Sequence, residues 1–193
     1  MAEPGEIRIR IKPVKTKTEK GKLPAKIGPD YPSTLLVVYA TAAVLDSLRR
    51  YAASDLDYEL GGVLVGRVGK SSRRLYIVIE NFIAARKGIS RRASFEFTNE
   101  AQQEVHEILQ SEFKDLKIIG WFHTHPGYGI FLSGADQFID QNYFNQKYHV
   151  AVVLDPTKKE VDLGVFVWDR EKNRVRVPVF EMQDGPQRHK DTK

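Results

Sequence analysis

Apolar and polar positions divide the chain into segments with two different periods. Short apolar runs, some alternating with polar residues, predict strands at residues 34–40, 59–68 and 74–83. The sequence GKSS between the last two runs is typical of a turn, so these strands are expected to form a hairpin.

Three other stretches show the helical period. The first, AAVLDSLRRYAA, follows Thr41, a residue type that favours a helix N-cap. The second follows Thr98, and its apolar residues share one helical face, namely Ala101, Val105, Ile108 and Leu109. The third lies in SGADQFIDQNYFNQ, with Ser133 as its cap. We therefore expect about three helices.

The segment KIIGWFHTH at 117–125 is apolar on both alternating faces, which predicts a strand in the middle of a sheet that ends before Pro126. Three further strands are predicted at 148–155, 161–168 and 173–182. The basic stretch from 84 to 97 is expected to be irregular. This order of elements predicts an α/β protein with a mixed sheet.

The two ends of the chain differ from its middle. Ile7, Ile9 and Ile11 alternate with basic residues, a pattern that allows an edge strand, and a linker rich in Lys, Pro and Gly follows. We expect a basic N-terminal arm at 1–32, one domain at 33–182 and a polar tail at 183–193.

Composition excludes several classes of function. The chain contains no cysteine, which excludes disulfides, thiolate catalysis and sulfur-ligated zinc, so any metal must be held by His, Asp or Glu. Neither a secretory signal nor a stretch of roughly 18 apolar residues is present, which predicts a cytoplasmic protein without a membrane partner. The basic arm has no aromatic residue between Arg8 and Lys26, so nucleic-acid binding is not expected.

His123 and His125 are candidate metal ligands because residues two apart on a strand share one face, while Thr124 points to the other. Asp136, at the start of the third helix, would complete three protein ligands and leave one position for water, as in catalytic zinc sites. Ser133 and Asp136 also match the S-x-x-D signature of a capping box, in which both residues only satisfy N–H groups at a helix start. Both interpretations remain open at this point.

Hydrolysis at such a centre needs a second carboxylate that takes a proton from water. Glu59 is the best candidate, because it begins an apolar strand and precedes Gly61 and Gly62, which allow other backbone to approach closely. The alternative is a solvated glutamate at the end of a strand.

Three motifs taken together resemble the JAMM motif of the MPN domain family of zinc metalloproteases: Glu59-Leu60-Gly61-Gly62, His123-Thr124-His125-Pro126 and Ser133-Gly134-Ala135-Asp136. The string GWFHTHPGYGIFLSGAD is similar to that of the deubiquitinating subunit of the proteasome lid and its archaeal and bacterial relatives. The resemblance extends over about residues 34–170. It implies an MPN (JAB) domain with a cytidine-deaminase-like architecture.

The resemblance also implies a role for each motif residue. His123, His125 and Asp136 would hold one Zn²⁺, Glu59 would act as general base and acid, and Ser133 would donate to the oxyanion. The implied activity is that of a deubiquitinase-like isopeptidase that hydrolyses the bond after the C-terminal glycine of a ubiquitin-like modifier. The modifier and its conjugates would be the partners.

Two other functions remain possible at this level: a peptidase that processes a ubiquitin-like or sulfur-carrier precursor, and a non-catalytic MPN scaffold. The stretch at 84–97 lies where such enzymes hold the modifier tail. Its basic residues are therefore candidate substrate-binding groups, namely Arg86, Lys87, Arg91 and Arg92. The alternative is a solvated loop without such a role. The long helices that follow the domain in eukaryotic complex members are absent from the sequence, so an obligate MPN heterodimer is not expected.

Overall fold

The structure, a computed structural model, describes residues 35–71 and 74–182. The arm at 1–32, with its predicted edge strand, and the tail at 183–193 lie outside the described residues. Within the described part of the chain, no helix combines the length and the apolar character needed to cross a bilayer.

Ten strands and three helices occur in the described residues. The strands are β1 (Val37–Thr41), β2 (Gly61–Ser71), β3 (Arg74–Ala84), β4 (Ile89–Arg91), β5 (Ser94–Glu96), β6 (Lys117–Thr124), β7 (Val150–Asp155), β8 (Asp162–Trp168), β9 (Arg174–Val177) and β10 (Val179–Met182). The helices are α1 (Ala42–Ala52), α2 (Asn99–Glu112) and α3 (Gly134–Tyr143). The predicted α/β class with three helices is confirmed.

Each helix begins where its cap residue predicts. The side chains of Thr41, Thr98 and Ser133 accept hydrogen bonds from the backbone N–H groups three residues later, those of Val44, Ala101 and Asp136. These bonds satisfy N–H groups that have no partner within the helix.

Eight strands form one mixed sheet in the order β10-β1-β3-β2-β6-β7-β8-β9. β1 is parallel to β3 and β10, and β6 is parallel to β7, while the other neighbours are antiparallel. β6 lies between β2 and β7, as its two apolar faces predict. Helix α1 packs on one face of the sheet through Leu45 and Leu48, and α2 packs on the other through Ala101 and Val105.

The prediction of a single strand at 173–182 was wrong. The segment divides at Pro178 into β9, which pairs with β8, and β10, which pairs with β1 at the opposite edge of the sheet. Proline has no N–H to donate and interrupts the ladder. Because one residue separates β9 from β10, the two edges of the sheet meet at Pro178 and the sheet curls around the core that α1 fills.

The prediction of irregular structure at 84–97 was also wrong, because the stretch contains the hairpin β4–β5. All three residues of β4 are exposed, so backbone pairing holds the strand and no buried face creates an alternating pattern. Phe95 of β5 is buried against Gly61, where an added Cβ would lie 2.5 Å from the Phe95 ring. The missing side chain at Gly61 therefore lets the hairpin pack on the start of β2.

Candidate metal centre and active site

Three buried side chains converge where β6 ends and α3 begins. Nε2 of His123 lies 2.9 Å from Nε2 of His125 and 3.2 Å from Oδ1 of Asp136. Nε2 of His125 lies 3.5 Å from Oδ2 of Asp136. Two imidazole nitrogens and one carboxylate oxygen, all within 4.8 Å of one another, form a donor set that suits Zn²⁺. The residues present therefore fit a zinc ion with three protein ligands.

The orientation of His125 is set by the loop that follows it. Its Nδ1 lies 3.2 Å from the carbonyl oxygen of Gly129, and since a carbonyl only accepts, Nδ1 carries the proton and Nε2 presents a lone pair to the centre. The carboxylate of Asp155 fixes this loop by accepting from the N–H groups of Gly127 and Gly129, each at 3.1 Å. Sequence reasoning missed Asp155, because partners 28 and 26 residues away leave no local pattern.

Asp136 is held in place by Ser133. The Ser133 N–H donates to Oδ2 of Asp136 at 2.6 Å, and the Asp136 N–H donates to Oγ of Ser133 at 3.2 Å. The capping-box interpretation of these residues is confirmed. Oδ1 of the same carboxylate reaches His123, so the cap and the contact with the histidines are compatible.

Burial and mutual contacts shift the pKa values of these groups. Burial lowers the pKa of His123 more than the neighbouring Asp136 carboxylate raises it, which favours a neutral ring. Burial also acts to lower the pKa of His125, but the carboxylates of Asp136 and Glu59 together outweigh it and the net shift is upward. Burial acts to raise the pKa of Asp136, yet hydrogen bonds from the two histidines hold it well below its usual range. Asp136 is therefore anionic, as a metal ligand must be.

Glu59 is buried beside this cluster, and its Oε1 lies 4.0 Å from Nε2 of His125. Its main chain is anchored on two sides. The Glu59 N–H donates to the carbonyl of Arg91 at 2.8 Å, and the N–H of Leu60 donates to Oγ1 of Thr124 at 2.8 Å. Thr124 is the residue between His123 and His125 in the sequence. Its side chain thus fixes the segment that carries Glu59.

The environment of Glu59 changes its acidity. Burial, the largest effect, and the Asp136 carboxylate raise the pKa of Glu59 to about 7, against the lowering effect of His125. A carboxyl group with a pKa near neutrality can both accept and release a proton at physiological pH. The alternative of a solvated glutamate is wrong, because the side chain is buried.

The four basic candidates for substrate binding are exposed: Arg86, Lys87, Arg91 and Arg92. The guanidinium of Arg91 pairs with Glu96 across the β4–β5 hairpin, and it is the Arg91 carbonyl that reaches Glu59. The hairpin therefore adjoins the cluster through its backbone, and the substrate-binding roles of these side chains stay predictions.

Comparison of the sequence with known proteins gives matches to one family model and to subunits of one protein complex. A family model described as JAB1/Mov34/MPN/PAD-1 ubiquitin protease matches residues 34–149. COP9 signalosome complex subunit 5 of Caenorhabditis elegans is 31% identical over 134 residues, which cover 65% of this chain and 35% of the relative. Subunit 5a of the same complex from Arabidopsis thaliana is 30% identical over 143 residues, with coverages of 67% and 37%. The chain thus spans about a third of the length of these two relatives.

A solved structure supports the fold. The solution structure of protein DSY2949 from Desulfitobacterium hafniense matches with a TM-score of 0.57 and 14% identity, over 76% of this chain and 94% of that one. Identity this low shows likeness of fold alone. Because the family model covers more than half of the chain, including the histidine pair and Asp136, the chain belongs to the JAB1/Mov34/MPN/PAD-1 ubiquitin protease family.

Proposed function

We propose that the protein is a zinc-dependent isopeptidase that hydrolyses the bond after the C-terminal glycine of a ubiquitin-like modifier. The observation that carries this proposal is the position of Glu59, a buried carboxyl group with a pKa of about 7 that lies 4.0 Å from Nε2 of His125 in the three-ligand cluster. Membership in a family described as a ubiquitin protease supports the substrate class.

His123, His125 and Asp136 would hold the zinc ion. When bound there, zinc would supply Lewis acid chemistry that polarises the substrate carbonyl and makes a water molecule more acidic. The buried position of all three side chains keeps their lone pairs away from bulk water and strengthens their attraction for a cation.

Glu59 transfers the proton. As the water oxygen bonds to the glycine carbonyl carbon, the Glu59 carboxylate accepts a proton from that water. The same group then gives the proton to the lysine ε-nitrogen as the C–N bond breaks. The remaining proton of the water then passes from the new carboxyl group to the amine, so the products are a C-terminal glycine carboxylate and a lysine ammonium group. A pKa near 7 allows one residue to serve both steps.

Ser133 stabilises the oxyanion that forms during the attack. Its oxygen already accepts from the Asp136 N–H, so the hydroxyl hydrogen is available to donate to a substrate oxygen. The capping box holds this hydroxyl close to Asp136 and hence to the carbonyl that reacts.

The β4–β5 hairpin holds the modifier tail. It lies next to Glu59 through the bond to the Arg91 carbonyl, and its strand β4, exposed at all three residues, can pair with an extended peptide as an added strand. Arg86, Lys87, Arg91 and Arg92 contribute positive charge that attracts acidic groups of the modifier or its conjugates.

Two matched substrates test this function: ubiquitin joined to a lysine side chain through an isopeptide bond, and the same ubiquitin extended by a linear peptide. We expect cleavage of the isopeptide, loss of cleavage after treatment with a chelator, and recovery after addition of Zn²⁺. Selective cleavage of the linear fusion would favour precursor processing instead. Failure to cleave any such substrate, including conjugates of other ubiquitin-like modifiers, with zinc bound would contradict hydrolysis.

A further inference from the structure

The two histidines of the centre are oriented in different ways. Nδ1 of His125 donates to Gly129, whereas Nδ1 of His123 has no hydrogen-bond partner among the residues that the structure describes, although the ring is fully buried. Ligand histidines are usually oriented by a hydrogen bond from the second ring nitrogen to a protein oxygen or water. Among the described residues, the contact that orients His123 is ring packing.

Trp121 provides the surface against which His123 packs. The two rings lie two residues apart on β6, with centroids separated by 4.4 Å and planes inclined by 11°. Phe144 is stacked with the same indole at 5.9 Å and 14°. Rotation of the His123 ring would break this contact, so the position of the indole limits the direction in which Nε2 of His123 points.

Asp140 in turn holds the indole. Nε1 of Trp121 donates to Oδ1 of Asp140 at 2.9 Å, and Asp140 is fully buried. Arg174 of β9 binds the same carboxylate, with Nε at 3.0 Å from Oδ2 and Nη2 against Oδ1. The guanidinium also donates to the carbonyls of His149 at 2.7 Å and Phe166 at 3.1 Å. The carboxylate is thus held rigidly by a residue that is itself anchored.

Helix α3 contacts β6 in the same way at two successive helical turns, each time through an aspartate of the helix and a ring of the strand. Asp136 and Asp140 lie four residues apart and therefore on one face of α3. Asp136 contacts His123, and one turn later Asp140 contacts Trp121. The two acidic residues of the helix thus meet two ring residues of the strand. This pairing sets the distance between the elements that carry Asp136 and His123.

We infer that Trp121, Asp140 and Arg174 are positioning residues that fix the His123 ring for metal binding. This inference rests on the proposed zinc site. Stability alone does not explain the network, since replacing a buried ion pair by apolar residues is often neutral or stabilising. The network acts through the indole N–H, and its loss leaves His123 able to turn away from the centre.

Zinc affinity of the metal-free protein, measured by competition with a coloured chelator, tests the inference. Trp121→Phe keeps a ring on His123 but removes the N–H, and Asp140→Asn removes the charge that holds the indole and Arg174. Substitution of a residue that orients a metal ligand without contacting the metal typically weakens metal binding about 10-fold to 100-fold. We expect losses of zinc affinity in this range for both variants. Because Trp121→Phe removes the indole hydrogen bond through which Asp140 acts, the double variant should bind zinc no more weakly than Trp121→Phe alone.

The control is a second buried carboxylate outside the centre. Arg67 donates to both oxygens of Glu80, at 2.7 and 2.8 Å, so Glu80→Gln weakens an ion pair whose carboxylate is likewise buried. This variant should keep the zinc affinity of the parent even if its melting temperature falls. A similar loss of affinity in Glu80→Gln would show that general destabilisation, and not positioning, causes the effect.

Hydrogen exchange of the Trp121 indole N–H gives a readout that needs no metal. Asp140→Asn should accelerate this exchange relative to the parent protein, whereas Glu80→Gln, outside the network, should leave it unchanged. If Asp140→Asn does not fold, the zinc affinity of Trp121→Phe tests the inference. An affinity equal to that of the parent protein overturns it. Additive losses in the double variant also overturn it, because Asp140 would then act directly on His123. A parent protein that binds no zinc contradicts the proposed zinc site itself.

Discussion

Ser133 and Asp136 bind each other reciprocally at the start of α3, through hydrogen bonds of 2.6 and 3.2 Å, and the same Asp136 carboxylate lies 3.2 Å from Nε2 of His123. The cap thereby orients a group that faces the candidate metal centre. Structural and chemical roles of this carboxylate can be separated by substitution.

Asp136→Asn should separate the role of this carboxylate in the helix cap from its role in metal binding. An amide still accepts the hydrogen bond from the Ser133 N–H but carries no charge, so we expect near-parental thermal stability and loss of bound zinc. Asp136→Ala should lose zinc and also about 1 kcal/mol of stability, the typical net contribution of one hydrogen bond, here the one from the Ser133 N–H. Elemental analysis and thermal unfolding measure the two effects. Full zinc occupancy in Asp136→Asn would exclude Asp136 from the ligand set.

Glu59→Gln should separate metal binding from chemistry. Glutamine keeps the size and polarity of the side chain but cannot accept a proton, so zinc should remain bound while turnover falls. General base catalysis contributes typically about 10² to 10⁴-fold, and transfer to the leaving amine by the same residue places the expected loss in the upper part of this range. Glu80→Gln, at another buried glutamate, should retain turnover. Near-parental cleavage by zinc-loaded Glu59→Gln would show that another group is the base.

Ser133→Ala should lower kcat about 10² to 10³-fold, the usual cost of one oxyanion donor. The lost cap should also reduce stability by about 1 kcal/mol. Thr41→Ala removes the cap of α1 and provides the matched control, because it costs stability without touching the centre. Equal loss of turnover in both variants at equal zinc content would assign the effect to stability.

Asp155→Asn should weaken zinc binding from a distance. One amide oxygen cannot replace two carboxylate oxygens that accept from Gly127 and Gly129, so the loop loosens and the Gly129 carbonyl no longer fixes His125. We expect zinc affinity to fall about 10-fold, at the lower end for such outer partners. Thr157→Val removes another donor to Asp155 and should have a smaller effect. Unchanged affinity in Asp155→Asn would show that His125 is oriented independently of this loop.

His149 should make stability depend on pH. Burial, with a further contribution from Arg174, lowers the pKa of His149 to about 4, and its Nδ1 accepts a hydrogen bond from the Gln146 N–H. The unfolded chain takes up a proton near pH 6.5 while the folded ring stays neutral, so the stabilising contribution is complete above pH 6.5 and is lost as pH falls toward 4. The loss amounts to about 3 kcal/mol at most. Denaturant unfolding of the metal-free protein measures the free energy of unfolding at pH 7 and pH 5. The difference between the two pH values should be smaller for His149→Gln than for the parent. An equal difference in both proteins would show that His149 is not the group responsible.

Elements with local signals could be predicted from the amino-acid sequence. Cap residues such as Thr41 and Ser133 lie within three positions of the N–H groups they bind, so the helix starts could be read directly from the chain. The hairpin of β2 and β3 follows from two apolar runs around one turn. The short spacing of His123, His125 and Asp136 made them candidate metal ligands, and the resemblance to the JAMM motif favoured that role over helix capping alone.

Contacts between distant segments could not be predicted in this way and were seen only in the folded chain. Pro178 marks a break in a strand, but only the sheet order shows that β9 and β10 lie at opposite edges. Asp155 supports the loop after His125 from 26 residues away, and Arg174 reaches Asp140 across 34 residues. Such contacts leave no periodicity in the chain, because they depend on which strands become neighbours. The burial of Glu59, and with it the pKa of about 7, likewise arises only when β2, β6 and the β4–β5 hairpin come together.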